Sequence, residues 1–164
     1  MRNSTRLLKT LAASVAISAS LALATPASAQ DASAQAAYRD IEQTLGLVPG
    51  FFKAFPQSGI AGAWSEFKSL QLSPATKLDV KTKQLIGLAV SAQIPCQYCI
   101  YFHAAVARAN GATEDEISEA VAMAAMTRHW STVLNGMEID LAAFKRETDT
   151  VLKLAADRSR SASK

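Results

Sequence analysis

The sequence predicts an all-α fold, a compact helical domain of about six helices, and three observations carry that reading. Apolar residues recur at helical spacing in every long segment. No segment shows the in-and-out alternation of a half-buried strand. The interruptions fall at glycine and proline, beside residues that cap helices.

Asp31 to Leu45 reads as a first helix, stopped by Gly46. Leu47-Val48-Pro49-Gly50 is a turn, and Phe51 and Phe55, four apart, fit one face of a short helix ending before Pro56. Gly59 to Leu70 carries Ile60, Trp64, Phe67 and Leu70 at helical spacing, a pattern that core packing explains better than a ligand box. Ser73-Pro74 opens a new element, and Asp79 to Gln93 is a helix with Leu85, Leu88 and Ala89 on one side. It runs into Ile94-Pro95, where the proline favours a break and a fresh start. Cys96 to Asn110 follows as a helix closed by Gly111, which tolerates a left-handed cap. Thr113-Glu114-Asp115-Glu116 is a capping box with acids in the first turn, opening a helix that continues to Leu134. A last helix, from Glu138 or Asp140 to Ala156, is expected to turn Leu141, Phe144, Val151, Leu152 and Ala155 inward. No internal repeat and no second domain is read.

The 164-residue chain opens with Arg2, Arg6 and Lys9, then an apolar stretch from Leu11 to Leu23, then Ala27-Ser28-Ala29. That is the order of a secretory signal, so residues 1–29 are expected to be removed and the mature chain to start at Gln30. The apolar stretch falls short of the roughly 20 residues of a bilayer span and is rich in Ala and Ser. Export to the periplasm is the expected address, with no membrane attachment after cleavage. The signal takes three basic residues and no acid with it, so the net charge of +3 falls to near zero. Nothing basic enough for a nucleic-acid partner is left. Residues 30–157 are expected to form one domain around one core, and 158–164 a disordered, solvated tail.

Only two cysteines occur, three positions apart. A disulfide across so short a loop stabilises little by chain entropy, so in an oxidising compartment the pair asks for a chemical role. Cys96, Cys99 and His103 share one helical face, because offsets of three, four and seven bring side chains into line. Cys96 is expected in the first turn, where free N–H groups and the helix dipole favour a thiolate. Cys99 sits one turn deeper, within reach of His103, whose imidazole can take the thiol proton or return one to departing hydroxide. Cys96 can then attack a sulfenic acid on Cys99 and close a disulfide. These parts make up a dithiol peroxidase cycle that needs an external reductant and calls for no cofactor or metal.

Other uses of the same residues are weighed. Haem attachment requires His directly after the second cysteine, where Ile100 stands. A zinc site would need Cys96, Cys99 and His103 with a fourth ligand such as His129, and no second cysteine pair exists to complete the usual set. A purely structural disulfide stays open. A thioredoxin-like pair normally follows a strand, and the pattern holds none.

From about Lys81 to Gly136 the chain resembles the carboxymuconolactone decarboxylase superfamily, and within it the alkyl hydroperoxidase D-like branch. The residues that carry the resemblance are Cys96-x-x-Cys99-x-x-x-His103, with Gln84 twelve positions before the first cysteine and Gly111 eight after the histidine. The resemblance implies Cys99 as the peroxide-reactive thiol, Cys96 as its redox partner and His103 in a proton relay. It further implies an all-α fold with the motif helix beside the preceding one, and homo-oligomers, commonly trimers or hexamers. The substrate it implies is a hydroperoxide, with a thiol reductant that the sequence does not name. The chain departs from the pattern at Gln84, where the branch carries an acid, since an amide can orient His103 but cannot accept its proton. Tyr98 is a second departure, standing where some relatives carry His, and is a candidate pocket residue. His129 and Trp130, in a polar patch with Arg128, are candidate pocket residues, although a solvated His129 and a packing role for Trp130 explain them more simply. Two other functions remain beside the peroxidase: a thiol–disulfide electron relay, and a non-redox lyase or binding protein that keeps the superfamily fold.

Overall fold

The computed structural model of the chain describes residues 26–162, and these are all-helical, with no strand among the described residues. Seven α-helices follow in order: α1 (Pro26–Leu45), α2 (Gly50–Ala54), α3 (Gln57–Phe67), α4 (Val80–Gln93), α5 (Gln97–Ala109), α6 (Glu114–Gly136) and α7 (Leu141–Ala162). A π-helical turn, Lys68–Leu72, extends α3. The residues read as export signal and apolar stretch, Arg2 to Leu23, lie outside the described residues, and Ala27-Ser28-Ala29 falls at the start of α1.

The chain divides into two compact units, one ending at Ser65 and one beginning at Glu66. In the first, Ala34, Ala37 and Ile41 form the buried stripe of α1, spaced three and four apart as one helix face requires. Gly46, at φ +82°, ends α1 in the left-handed region that its missing Cβ permits. The short helix predicted after the turn is present, but it buries Phe52 and leaves Phe51 and Phe55 exposed. Phe52 meets Trp64 edge-on, with ring centroids 5.5 Å apart, and the Trp64 Nε1–H donates to Asp40 Oδ2 at 2.6 Å. Each large ring is thus buried with its geometry or its polar atom satisfied.

The second unit is organised on α4, which packs against both α5 and α6 and touches the π-helical turn. The helix begins where the sequence predicts, at Asp79, whose carboxylate accepts the Thr82 N–H at 2.7 Å as an N-cap. Its buried residues are Leu88 and two polar ones, Gln84 and Ser91. Gly111, at φ +81°, closes α5, and the Thr113/Glu116 capping box opens α6 as the sequence predicts. Lys81 bonds Glu116 at 2.7 Å and Arg108 bonds Glu114 at 2.6 Å, so the first turn of α6 is tied to α4 and α5.

Two expectations at the C-terminal end are corrected. No residue of α7 is buried, and Leu141, Phe144, Val151 and Leu152 are exposed rather than inward. Helical periodicity establishes that a helix has an apolar face and not what covers it. α7 also continues through Arg158 to Ala162, where a disordered tail is expected. Asp157 pairs with Lys153 and Arg160, one turn to either side, and Ser159 and Ser161 bond carbonyls one turn back, which satisfies the segment within the helix.

Candidate active site

Ile94 and Pro95 separate α4 from α5 and reverse the chain, so that the front of α5 lies along α4. Cys96 is not in the first turn, as expected, but one place earlier. It is the N-cap of α5 in an extended conformation, because the residue after proline begins the new hydrogen-bonding pattern here instead of joining it. Its Sγ accepts the Cys99 N–H at 3.3 Å, a sulfur doing what a Ser or Asp oxygen does at other helix starts. Hydrogen bonds from the Cys99 thiol and backbone hold the Cys96 thiol below its ordinary value. The same contact with Cys96, together with burial, pushes the Cys99 thiol up. Cys96 is therefore the more acidic of the pair, and Cys99 the one that keeps its proton at rest.

His103 lies one turn beyond Cys99 and is held from the side by α4. Its Nδ1 is 2.7 Å from Gln84 Oε1, and Gln84 Nε2 donates in turn to Gln71 Oε1 at 2.8 Å. With the amide oxygen facing the ring, Nδ1 carries the proton and Nε2 is left as a base. Burial lowers the His103 pKa from its ordinary value, which keeps the ring neutral and able to accept a proton near pH 7. Gln84 is only 1% exposed, so its two bonds fix it and, through it, the ring. The sequence expectation that an amide here orients His103 matches this geometry.

Gly87 makes that approach possible. A Cβ at this position would stand 2.5 Å from His103 Cε1 and Nδ1 and 2.7 Å from Nε2, closer than atoms tolerate. The imidazole therefore rests on bare helix backbone. Gly87 and Gln71 are the site residues that sequence reasoning missed. Gly87 had a signal: Gln84, Gly87 and Ser91 are spaced three and four apart, and small residues on a helix face mark close approach. Gln71, on a π-helical turn thirteen residues away, had none.

Cys99 and His103 open together into a cleft of about 700 Å³, walled by α4 and by the segment from Leu70 to Leu78. Lys83 pins that segment, its Nζ bonding Leu70 O at 2.8 Å and Thr76 Oγ1 at 2.9 Å. Cys96 is outside the lining. Tyr98, His129 and Trp130, expected as pocket residues, are outside it as well. Tyr98 is 89% exposed, since one residue before Cys99 is about 100° around the helix. His129 and Trp130 are exposed on α6, their rings edge-to-face. Their neighbour Arg128 instead bonds Gln93 and lines a separate groove between α4 and α6. Among the described residues no three His, Cys, Asp or Glu side chains converge as metal ligands.

An all-α unit with a Cys-x-x-Cys pair capping one helix, and a histidine held against the helix before it, defines a class. The chain belongs to the carboxymuconolactone decarboxylase family, whose model matches residues 59–140. In structure it is similar to the alkylhydroperoxidase AhpD core of Rhodospirillum rubrum, at a TM-score of 0.59 and 27% identity over 77% of this chain and 97% of that one. In sequence it is similar to a Paracoccus denitrificans protein described as uncharacterized protein 4 in cox locus, at 38% identity over 85 residues, 49% of this chain and 77% of the relative.

Proposed function

We propose that the chain is an exported thiol peroxidase that reduces hydroperoxides. The observation that supports this best is the convergence of Cys99 and a neutral, Gln84-oriented His103 on one cleft, with Cys96 hydrogen-bonded to Cys99 outside it. In the proposed cycle His103 takes the Cys99 proton, and the thiolate attacks the terminal oxygen of ROOH. The S–O bond forms as the O–O bond breaks, and the alkoxide leaves as ROH with the proton from His103. Cys96 then attacks the Cys99 sulfenic acid: the S–S bond forms, the S–O bond breaks, and hydroxide leaves as water. Two electrons pass from the thiols to the peroxide, and an external dithiol returns them. The likeness to an alkylhydroperoxidase core favours this reading over a lyase. Gln84 stands aside from the relay as an orienting group, because an amide has no proton-accepting site of use here.

A thiol–disulfide relay is the second reading, favoured by the lower pKa of Cys96 and its place outside the cleft. The deciding experiment is consumption of cumene hydroperoxide by residues 30–164 with dithiothreitol, wild type against Cys99→Ser. Turnover that disappears in the variant is expected. No turnover in a wild type whose cysteines still cycle between dithiol and disulfide would leave the relay and remove the peroxidase. Export to the periplasm and self-association, as a trimer or hexamer, complete the proposal. The exposed apolar stripe of α7 supports association, and sedimentation of the mature chain measures it.

A further inference from the structure

The cleft at Cys99 has a polarity of its own. Leu70 and Leu78 face it from the segment before α4, Ile86 and Val90 from α4, and Ile94 from the residue that caps its C-terminal end. The last three are four residues apart and form an apolar track about 12 Å long at the helical rise per residue. No acidic side chain lines the cleft, and two lysines do. Lys83 is committed to the carbonyls of Leu70 and Gln71 and to the Thr76 hydroxyl. Lys77 makes no hydrogen bond or ion pair among the described residues.

An uncommitted ammonium in the lining of an apolar groove that holds no carboxylate fits a ligand that is apolar along its length and anionic at one end. We propose that the preferred substrate is a hydroperoxide carried on an aliphatic chain ending in a carboxylate, with the chain along Ile86, Val90 and Ile94 and the carboxylate on Lys77. This rests on the peroxidase reading for the reaction, but the binding mode stands apart from it. Lys77 acts as a specificity residue: it contributes to holding the substrate and has no part in the transfer of oxygen or protons.

Two measurements separate the binding mode from the reaction. With turnover, kcat/KM is compared for a fatty-acid hydroperoxide and for cumene hydroperoxide, which has no charge. The ratio of the two is expected to fall about two- to fivefold in Lys77→Gln and further in Lys77→Glu, the change lying in KM, as loss of one exposed ion pair implies. Without turnover, calorimetric titration with decanoate and with decanol reads the cleft directly. Decanoate is expected to bind the wild type more tightly than decanol, and to lose that advantage in Lys77→Glu and at high salt. Such binding in a protein that consumes no peroxide would retain the cleft assignment and discard the peroxidase. Equal binding of decanoate and decanol by the wild type, or a substrate ratio that Lys77→Glu leaves unchanged, would overturn the assignment of Lys77.

Discussion

Replacing Gly87 with alanine tests the site at its tightest contact. The added Cβ would lie 2.5 Å from two atoms of the His103 ring, whereas non-bonded carbons rest at about 3.5–4.0 Å. The ring, as the end of a side chain, must swing away by about 1 Å. That opens its 2.7 Å bond to Gln84 beyond hydrogen-bonding range. The lost bond and the unpaired buried amide cost about 1–3 kcal/mol. Alanine in place of glycine inside a helix returns about 1 kcal/mol. The net loss of about 0–2 kcal/mol is a small change in Tm, while a 1 Å displacement of a catalytic group lowers turnover about 100-fold. Thermal unfolding, hydroperoxide turnover and the NMR titration of the His103 imidazole together read this outcome. A Gly87→Ala protein with wild-type turnover and an unshifted His103 resonance would refute the reasoning, since the ring would then not depend on close approach to α4.

Three further outcomes follow from the same geometry. In Gln84→Glu a carboxylate faces Nδ1, and opposite charges about 4 Å apart at an effective dielectric of 20 interact by about 4 kcal/mol, or roughly three pK units. Burial of the new charge subtracts from this, so an upward His103 shift of about 1–2 units is expected by NMR; a downward shift or none would mean that residue 84 does not contact the ring. His103 has its pKa lowered by burial from 6.5, so the unfolded chain takes up this proton more readily. The stability it contributes is complete above pH 6.5 and is lost as pH falls below it toward the folded pKa. His103→Gln is expected to flatten that acid-side slope in urea unfolding, and an unchanged slope would contradict the assignment. Finally, Cys96 is expected to alkylate with iodoacetamide at lower pH than Cys99, compared in Cys99→Ser and Cys96→Ser proteins. The reverse order would place the more acidic thiol inside the cleft.

The helices were legible because their signals are local. Gly46, Gly111 and the Thr113 capping box act within a turn of themselves, and each stands where the sequence put it. The inward stripe of α7 was not legible: periodicity records that a face is apolar, and burial depends on what meets it. The same division runs through the site. Cys96, Cys99 and His103 are related by helical offsets, and Gln84 by the resemblance of the motif, so all four were named from sequence. Gln71 reaches the ring only through Gln84, across a segment whose path no local rule sets. Tyr98 was misplaced for the opposite reason, since adjacency to a cysteine in sequence is a third of a turn away in a helix.

The sulfur that caps α5 gives the electron count a mechanical expression. The Cys99 N–H is held by Cys96 Sγ, which fills the place of a capping oxygen. Once the pair closes into a disulfide, that sulfur is bonded to Cys99 Sγ and accepts more weakly, so the first turn of α5 loses its anchor. Amide hydrogen exchange at Cys99 is then a direct gauge of redox state, slow in the dithiol and fast in the disulfide. Because the cap stabilises only the reduced form, it makes the couple a stronger oxidant than an uncapped pair. A helix start, ordinarily a matter of folding, here sets how readily the protein gives up its stored oxidising equivalents to the thiol that regenerates it.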